Sequence, residues 1–166
     1  MKLIKTNPKL VVYLVGALKN KNIPIVANKL RKVLGKEVEI FSSWYHSSPD
    51  ADSFNLKCCK ERGLDYKETL LEYGSRNSYD FDKKHLTRAH VVVGLMKFGR
   101  SGMLELGWSL GKGKKGYILF PSPPERCDIM LNFLDNIFFN FSDLIKQLKK
   151  DLKEKKNNPQ KQLQKS

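Results

Sequence analysis

The chain is predicted to be an α/β protein built on a mostly parallel five-stranded sheet. Three observations carry this. Apolar runs of strand length recur along the chain, and helical patterns stand between them. That alternation suits parallel strands joined by crossovers. No internal repeat divides the 166 residues, a length that suits one domain with a proper core.

The elements follow in order. Leu10-Val11-Val12-Tyr13-Leu14-Val15 reads as a buried first strand ending in Gly16-Ala17. Tyr13 is either a core aromatic or a group reaching the carboxyl edge of the sheet. The polar loop Ala17 to Asn22 carries Lys19 and Lys21 at such an edge, where ligands of open α/β sheets bind. Ile23 to Leu34 has apolar residues at three- and four-residue steps: Ile23, Val26, Ala27, Leu30, Val33 and Leu34. Pro24 fits the first turn of that helix and Gly35 its end. Glu37 to Phe41 alternates like a second strand. Ser42 to Pro49 is a loop with Trp44, Tyr45 and His46. Its Trp-Tyr pair either stacks on a planar base or, through Trp44, plugs the core. Asp50 and Asp52 suit N-caps.

Ser53 to Tyr79 reads as helical in pieces, broken near Gly63 and Gly74, and able to wall a pocket. Asp80 to Ala89 reads as a short helix with Asp82 before it or in its first turn, where an N-cap role suffices. Val91 to Met96 is the third strand. Tyr117 to Phe120 is the fourth, stopped by Pro121-Ser122-Pro123-Pro124. Asp128 to Leu134 is a short helix, and Ile137 to Phe139 the fifth strand. Ser142 or Asp143 caps a last helix with Leu144, Ile145, Leu148 and Leu152 on one face. The domain is taken as residues 1–152, with 153–166 a basic polar tail lacking the composition of an ordered segment.

The centre of the chain is Phe98-Gly99-Arg100-Ser101-Gly102-Met103-Leu104-Glu105, a glycine-rich turn between the third strand and a helix over Met103 to Gly111. Gly99 and Gly102 suit left-handed turns or close ligand approach. Gly107 suits tight packing on the sheet. Glu105 falls in the first helical turn, where the macrodipole favours its ionised form at neutral pH. An ionised carboxylate beside a glycine-lined pocket can act as a nucleophile. The plain alternative is a capping acid three residues after Gly102.

Composition narrows the partners. Cys58, Cys59 and Cys127 form no C-x-x-C pair, which argues against a disulfide framework and a zinc site and fits a reducing cytoplasm. No apolar run reaches membrane-span length, and the start lacks the long apolar stretch of a signal peptide. No metal or cofactor is implied. Net charge is +14, and Lys146 to Lys165 holds eight lysines against Asp151 and Glu154. That suits an anionic partner such as a nucleotide or nucleic acid, or simply a solvated lysine-rich surface. No nucleic-acid-binding motif supports the former. His85 and His90 stand isolated and read as structural or surface groups.

Over roughly residues 10 to 150 the chain resembles the nucleoside 2-deoxyribosyltransferase superfamily, which includes the 2'-deoxynucleoside 5'-phosphate N-hydrolases. The resemblance rests on Val12-Tyr13-Leu14-Val15-Gly16, on Asp82 ahead of Leu86-Thr87-Arg88-Ala89-His90-Val91-Val92-Val93, and above all on Gly102-Met103-Leu104-Glu105-Leu106-Gly107-Trp108-Ser109-Leu110-Gly111-Lys112-Gly113-Lys114. It implies a flavodoxin-like or Rossmann-like three-layer fold and cleavage of an N-glycosidic bond, with no cofactor. Glu105 would attack the anomeric carbon, as the carboxylate of a retaining glycosidase does. Asp82 would lie near the leaving base or sugar and help protonate the base. Tyr13 would orient the glutamate. Substrate would lie along Gly16, Ala17, Lys19 and Trp44, with Gly99, Arg100, Ser101 and Gly102 on the sugar or 5'-phosphate side.

Two departures stand out. Gly99 occupies the position where transferases of the family carry an Asp, and His90 replaces another Asp. Arg100 and Ser101 favour a phosphate-bearing substrate. The resemblance also implies a homodimer or larger homo-oligomer. Two other readings remain open at this stage: an NAD-cleaving, TIR-like enzyme, and a non-catalytic nucleotide- or nucleic-acid-binding module.

Overall fold

The computed structural model describes residues 9–46 and 51–157. Five strands form one sheet: β1 (Leu10–Val15), β2 (Val38–Phe41), β3 (Val91–Leu95), β4 (Lys115–Leu119) and β5 (Asn136–Phe138). Their order is β2-β1-β3-β4-β5 and every pairing is parallel, so the sheet is wholly rather than mostly parallel. β1 pairs β3 in the register Val12 with Val91 and Val15 with Gly94. Among the described residues six helices connect and cover the strands: α1 (Asn22–Leu34), α2 (Ala51–Glu61), α3 (Tyr66–Leu71), α4 (Tyr73–Arg88), α5 (Arg100–Gly111) and α6 (Phe141–Asn157).

Side chains on a strand alternate between faces, and here both faces are covered. Leu10, Val12 and Leu14 of β1 enter the core under α1 and α6, with Ile23, Ala27, Leu30, Leu144 and Leu148. Val11, Tyr13 and Val15 enter the opposite core with Leu86 of α4 and Leu106 of α5. Three layers result. Val33, expected on the buried face of α1, lies on its outer side at 45% exposure, because Leu30 and Leu34 fill that end of the stripe. Gly35 closes α1 at φ 68°, a conformation that favours glycine.

The helical region between β2 and β3 breaks where expected and differs at Asp80, where α4 runs on without a break. Gly63, at φ 82°, does end α2. The break expected near Gly74 falls at Glu72, between α3 and α4; Glu72 begins α4, one helix of 16 residues, and its carboxylate accepts from the Gly74 N–H at 2.8 Å. Asp65 and Glu68 form a capping box at the start of α3. Asp50 lies outside the described residues. The short helix expected over Asp128 to Leu134 is a 3₁₀ turn, Ile129–Phe133, capped by Asp128. At α6, Asn140 rather than Ser142 or Asp143 caps, accepting from the Asp143 N–H at 2.9 Å.

α6 also runs past Lys153 to Asn157, and residues 158–166 lie outside the described ones. The extra turns are held by polar contacts that composition does not reveal. Asp151, 3% exposed, accepts from Tyr117 Oη at 2.9 Å and from Lys115 Nζ at 2.6 Å. Lys156 pairs with Glu37. Lys155 Nζ donates to the Lys9 carbonyl at 3.1 Å and contacts His90 Nε2. His90 Nδ1 accepts from the Val11 N–H at 3.0 Å, so His90 is a structural histidine. Burial, then Lys155 and Lys114, push it down to about 4, which keeps it neutral.

Two helical glycines of α5 have opposite surroundings. A Cβ at Gly102 would meet Phe98 Cδ2 at 2.6 Å and Val15 Cγ1 at 2.8 Å, whereas a Cβ at Gly107 would meet nothing within 4 Å. The close approach to the sheet is therefore made at Gly102 and not at Gly107. We expect Gly102→Ala to cost about 1–3 kcal/mol through overpacking, and Gly107→Ala to stabilise by about 0.5–1 kcal/mol through helix propensity. Denaturant unfolding of the two variants checks both signs.

Candidate functional site

Strand order reverses between β1 and β3, and the loops after them diverge. An open α/β sheet binds ligands at such a crevice. Here it is an open cleft of about 1030 Å³. Gly16, Ala17 and Lys19 enter it from the loop after β1, and Trp44 from the turn after β2. Asp82 enters from α4, and Gly99, Arg100, Ser101, Gly102 and Glu105 from the turn and helix after β3. Tyr13 lies beneath, 1% exposed in the core. Segments far apart in sequence thus bring the expected residues to one cleft.

Several of those residues sit there differently from expectation. α5 begins at Arg100, with Gly99 as N-cap, so Glu105 is the sixth helical residue and not in the first turn. The macrodipole acts mainly within that first turn. Burial and then the nearby Asp82 carboxylate dominate instead, and push Glu105 up to about 7. Glu105 is thus poised near neutrality, not firmly ionised. Capping does not explain it either, since a capping box needs the acid at the third position.

Asp82 is the tenth residue of α4, deep in the helix, and neither caps nor begins it. It reaches the cleft because α4 runs unbroken from Tyr73 past the carboxyl edge of β1. Tyr13 is held well above its usual range by burial, then by Glu105, then by Asp82. Its hydroxyl therefore stays protonated within electrostatic reach of both carboxylates.

The glycines do other work. Gly99 has φ −91°, and the left-handed glycines among the described residues are Gly35, Gly63 and Gly113. Gly102 admits Phe98, whose ring also fills the space a Cβ would occupy at Gly94, at 2.6 Å. Phe98 thereby fixes the start of α5 against β3. Gly99 offers no capping side chain, and the first intrahelical bond runs from Met103 N–H to the Gly99 carbonyl. The N–H groups of Arg100, Ser101 and Gly102 therefore face outward at the positive end of the helix. Trp44 combines both of its open readings: its Nε1 donates to the Leu14 carbonyl at 2.7 Å and it packs on the core, yet it also lines the cleft.

Sequence reading missed Leu18, Ala51, Ser53, Asn77, Ser78 and Phe81, which also line the cleft. Positions 77, 78, 81 and 82 form one face of α4. That spacing was available in the sequence, but starting a new helix at Asp80 hid it.

Glu105 carries a stability consequence. Its folded-state value lies above the 4.5 of an ordinary glutamate, so the folded protein holds this proton more tightly than the unfolded chain. That stabilisation is complete below about 4.5 and is lost as pH rises through about 7. Glu105→Gln has no such loss. We expect the variant to gain about 3 kcal/mol on the parent between pH 4.5 and pH 8. Denaturant unfolding at both pH values reads this; a constant difference would contradict it.

No protein-family model matches the chain, and no curated protein matches it. Among solved structures the chain is similar to a 2-deoxyribosyltransferase from the psychrotolerant bacterium Bacillus psychrosaccharolyticus. Identity is 19%, with a TM-score of 0.54 over 81% of this chain and 90% of that one. A likeness at that identity shows the fold: the chain has the flavodoxin-like architecture of that enzyme, with a five-stranded parallel sheet between helical layers.

Proposed function

We propose that the chain cleaves the N-glycosidic bond of a nucleoside or nucleotide, with Glu105 as nucleophile. The observation that carries this reading is the pair of carboxylates, Glu105 and Asp82, electrostatically coupled in one cleft above the neutral Tyr13 hydroxyl. Double displacement at a sugar needs one anionic carboxylate and one proton. Two coupled carboxylates that resist losing both protons hold that state near neutral pH. Anionic Glu105 attacks the anomeric carbon as the carbon–nitrogen bond breaks. Asp82, carrying the proton, gives it to the departing base nitrogen. Water then attacks the glycosyl ester, loses a proton to Asp82 and releases the sugar, restoring the carboxylate of Glu105. A second nucleobase in place of water would make the reaction a transfer.

The likeness in fold to a 2-deoxyribosyltransferase supports a nucleoside substrate. Arg100 at the start of α5 and Lys19, which lines the same cleft, support a phosphate on its sugar. NAD satisfies the same description and belongs in the substrate panel. Homo-oligomerisation is supported by the exposed apolar side chains of α4 and α5, Tyr73 at 78% and Leu104 at 74%. Among the described residues no helix is long and apolar enough to cross a membrane.

Base release from nucleosides, 5'-monophosphates and NAD, followed by chromatography, tests the chemistry. We expect release from one class and a loss of at least about 10³-fold in Glu105→Gln, as for removal of a nucleophile. Because the step needs anionic Glu105 and one proton left on the carboxylate pair, the rate should pass through a maximum and fall as pH rises past about 7, where the pair loses its last proton. Full activity in Glu105→Gln would end the proposal. Sedimentation equilibrium should show a homo-oligomer that Leu104→Asp dissociates; a monomeric parent would refute that part.

A further inference from the structure

Four residues of α4 line the cleft: Asn77, Ser78, Phe81 and Asp82. Positions four apart on a helix lie on one face, so Asn77 stands one turn ahead of Phe81. Phe81 keeps 46% of its surface exposed although it is a large aromatic. It is braced from behind, with ring centroids 5.9 Å from Phe41 and 4.6 Å from His85. Phe41 stacks in turn on Tyr13 at 5.2 Å and on His85 at 3.9 Å. Phe81 is thus a supported ring with an open surface in a cleft, and such a ring is a stacking platform for a planar base.

The polar residues beside it divide unequally. Ser78 has committed its hydroxyl to the Gly74 carbonyl at 3.1 Å. Asn77 is exposed, and its carboxamide offers an acceptor and two donors on one plane. That pattern matches any base edge with an adjacent donor and acceptor.

We infer that the Asn77–Phe81 face of α4 is the base-recognition surface of the cleft. Phe81 stacks the ring of a nucleobase and Asn77 reads its edge. Asp82, the next residue along, then lies on the base side of the scissile bond. This assignment rests on the glycosidic reading for the identity of the ligand but not for the geometry.

The test separates the two. The Glu105→Gln protein is titrated by calorimetry with the 2'-deoxynucleosides of adenine, hypoxanthine, cytosine and thymine, and with base-free 2-deoxyribose 5-phosphate. Phe81→Leu, Phe81→Tyr and Asn77→Asp are placed on that background. We expect Phe81→Leu to raise Kd for every nucleoside by about 5- to 100-fold, as loss of a base stack does. Phe81→Tyr, which keeps the aromatic face, should stay close to the parent. Asn77→Asp, which removes the donors, should reorder the four bases. None should alter binding of the base-free sugar. Unchanged nucleoside Kd in Phe81→Leu, an equal loss for the base-free sugar, or no binding of any nucleoside overturns the inference. Base release by the parent together with unchanged Kd in Phe81→Leu would remove this assignment and leave the glycosidic chemistry standing. Binding that depends on Phe81, with no base release by the parent, would do the reverse.

Discussion

Two carboxylates held on separate helices over one cleft form the constraint on which the site depends. Each raises the cost of ionising the other. A fold that keeps them together must therefore hold both helices rigidly against that cost. α5 is held through Phe98, whose ring fills the room left by the missing side chains of Gly94 and Gly102. α4 is held through the stack of Tyr13, Phe41 and His85, and at its far end by Lys114. The Lys114 ammonium donates to the Thr87 and Ala89 carbonyls at 2.6 Å each. Charge at the last turn of a helix complements its dipole. Arg88 adds an ion pair with Glu39 of β2.

The sheet was readable from sequence because parallel strands are buried on both faces and read as unbroken apolar runs. Val91 to Leu95 and Leu10 to Val15 are such runs, and both are wholly buried. Helix ends were harder to read. Gly74 and Asp80 have poor helix propensity, yet α4 passes through both because its later turns pack Leu86 on the core and the Glu72 cap starts it. α6 outlasts its apolar pattern because a buried aspartate binds Lys115 and Tyr117 of β4, and no periodicity announces such a bond.

The site was legible to a similar, limited depth. Which residues meet follows from topology, since loops after β1, β2 and β3 must converge at the carboxyl edge. How each behaves does not follow. Shifting the start of α5 three residues toward the N-terminus moves Glu105 out of reach of the helix dipole, so burial and Asp82 decide its proton affinity. The same shift turns Arg100 and Ser101 from loop residues into the first helical positions, where their backbone N–H groups lack helical acceptors. The proton affinity and the outward N–H groups of this cleft are thus set by element boundaries, the feature that local sequence specifies least well.

The bond from Lys155 to the Lys9 carbonyl ties the last turns of α6 to the start of β1. That junction lies at the amino-terminal edge of the sheet, and the cleft lies at the other. The described residues therefore begin and end on the side of the sheet away from the cleft.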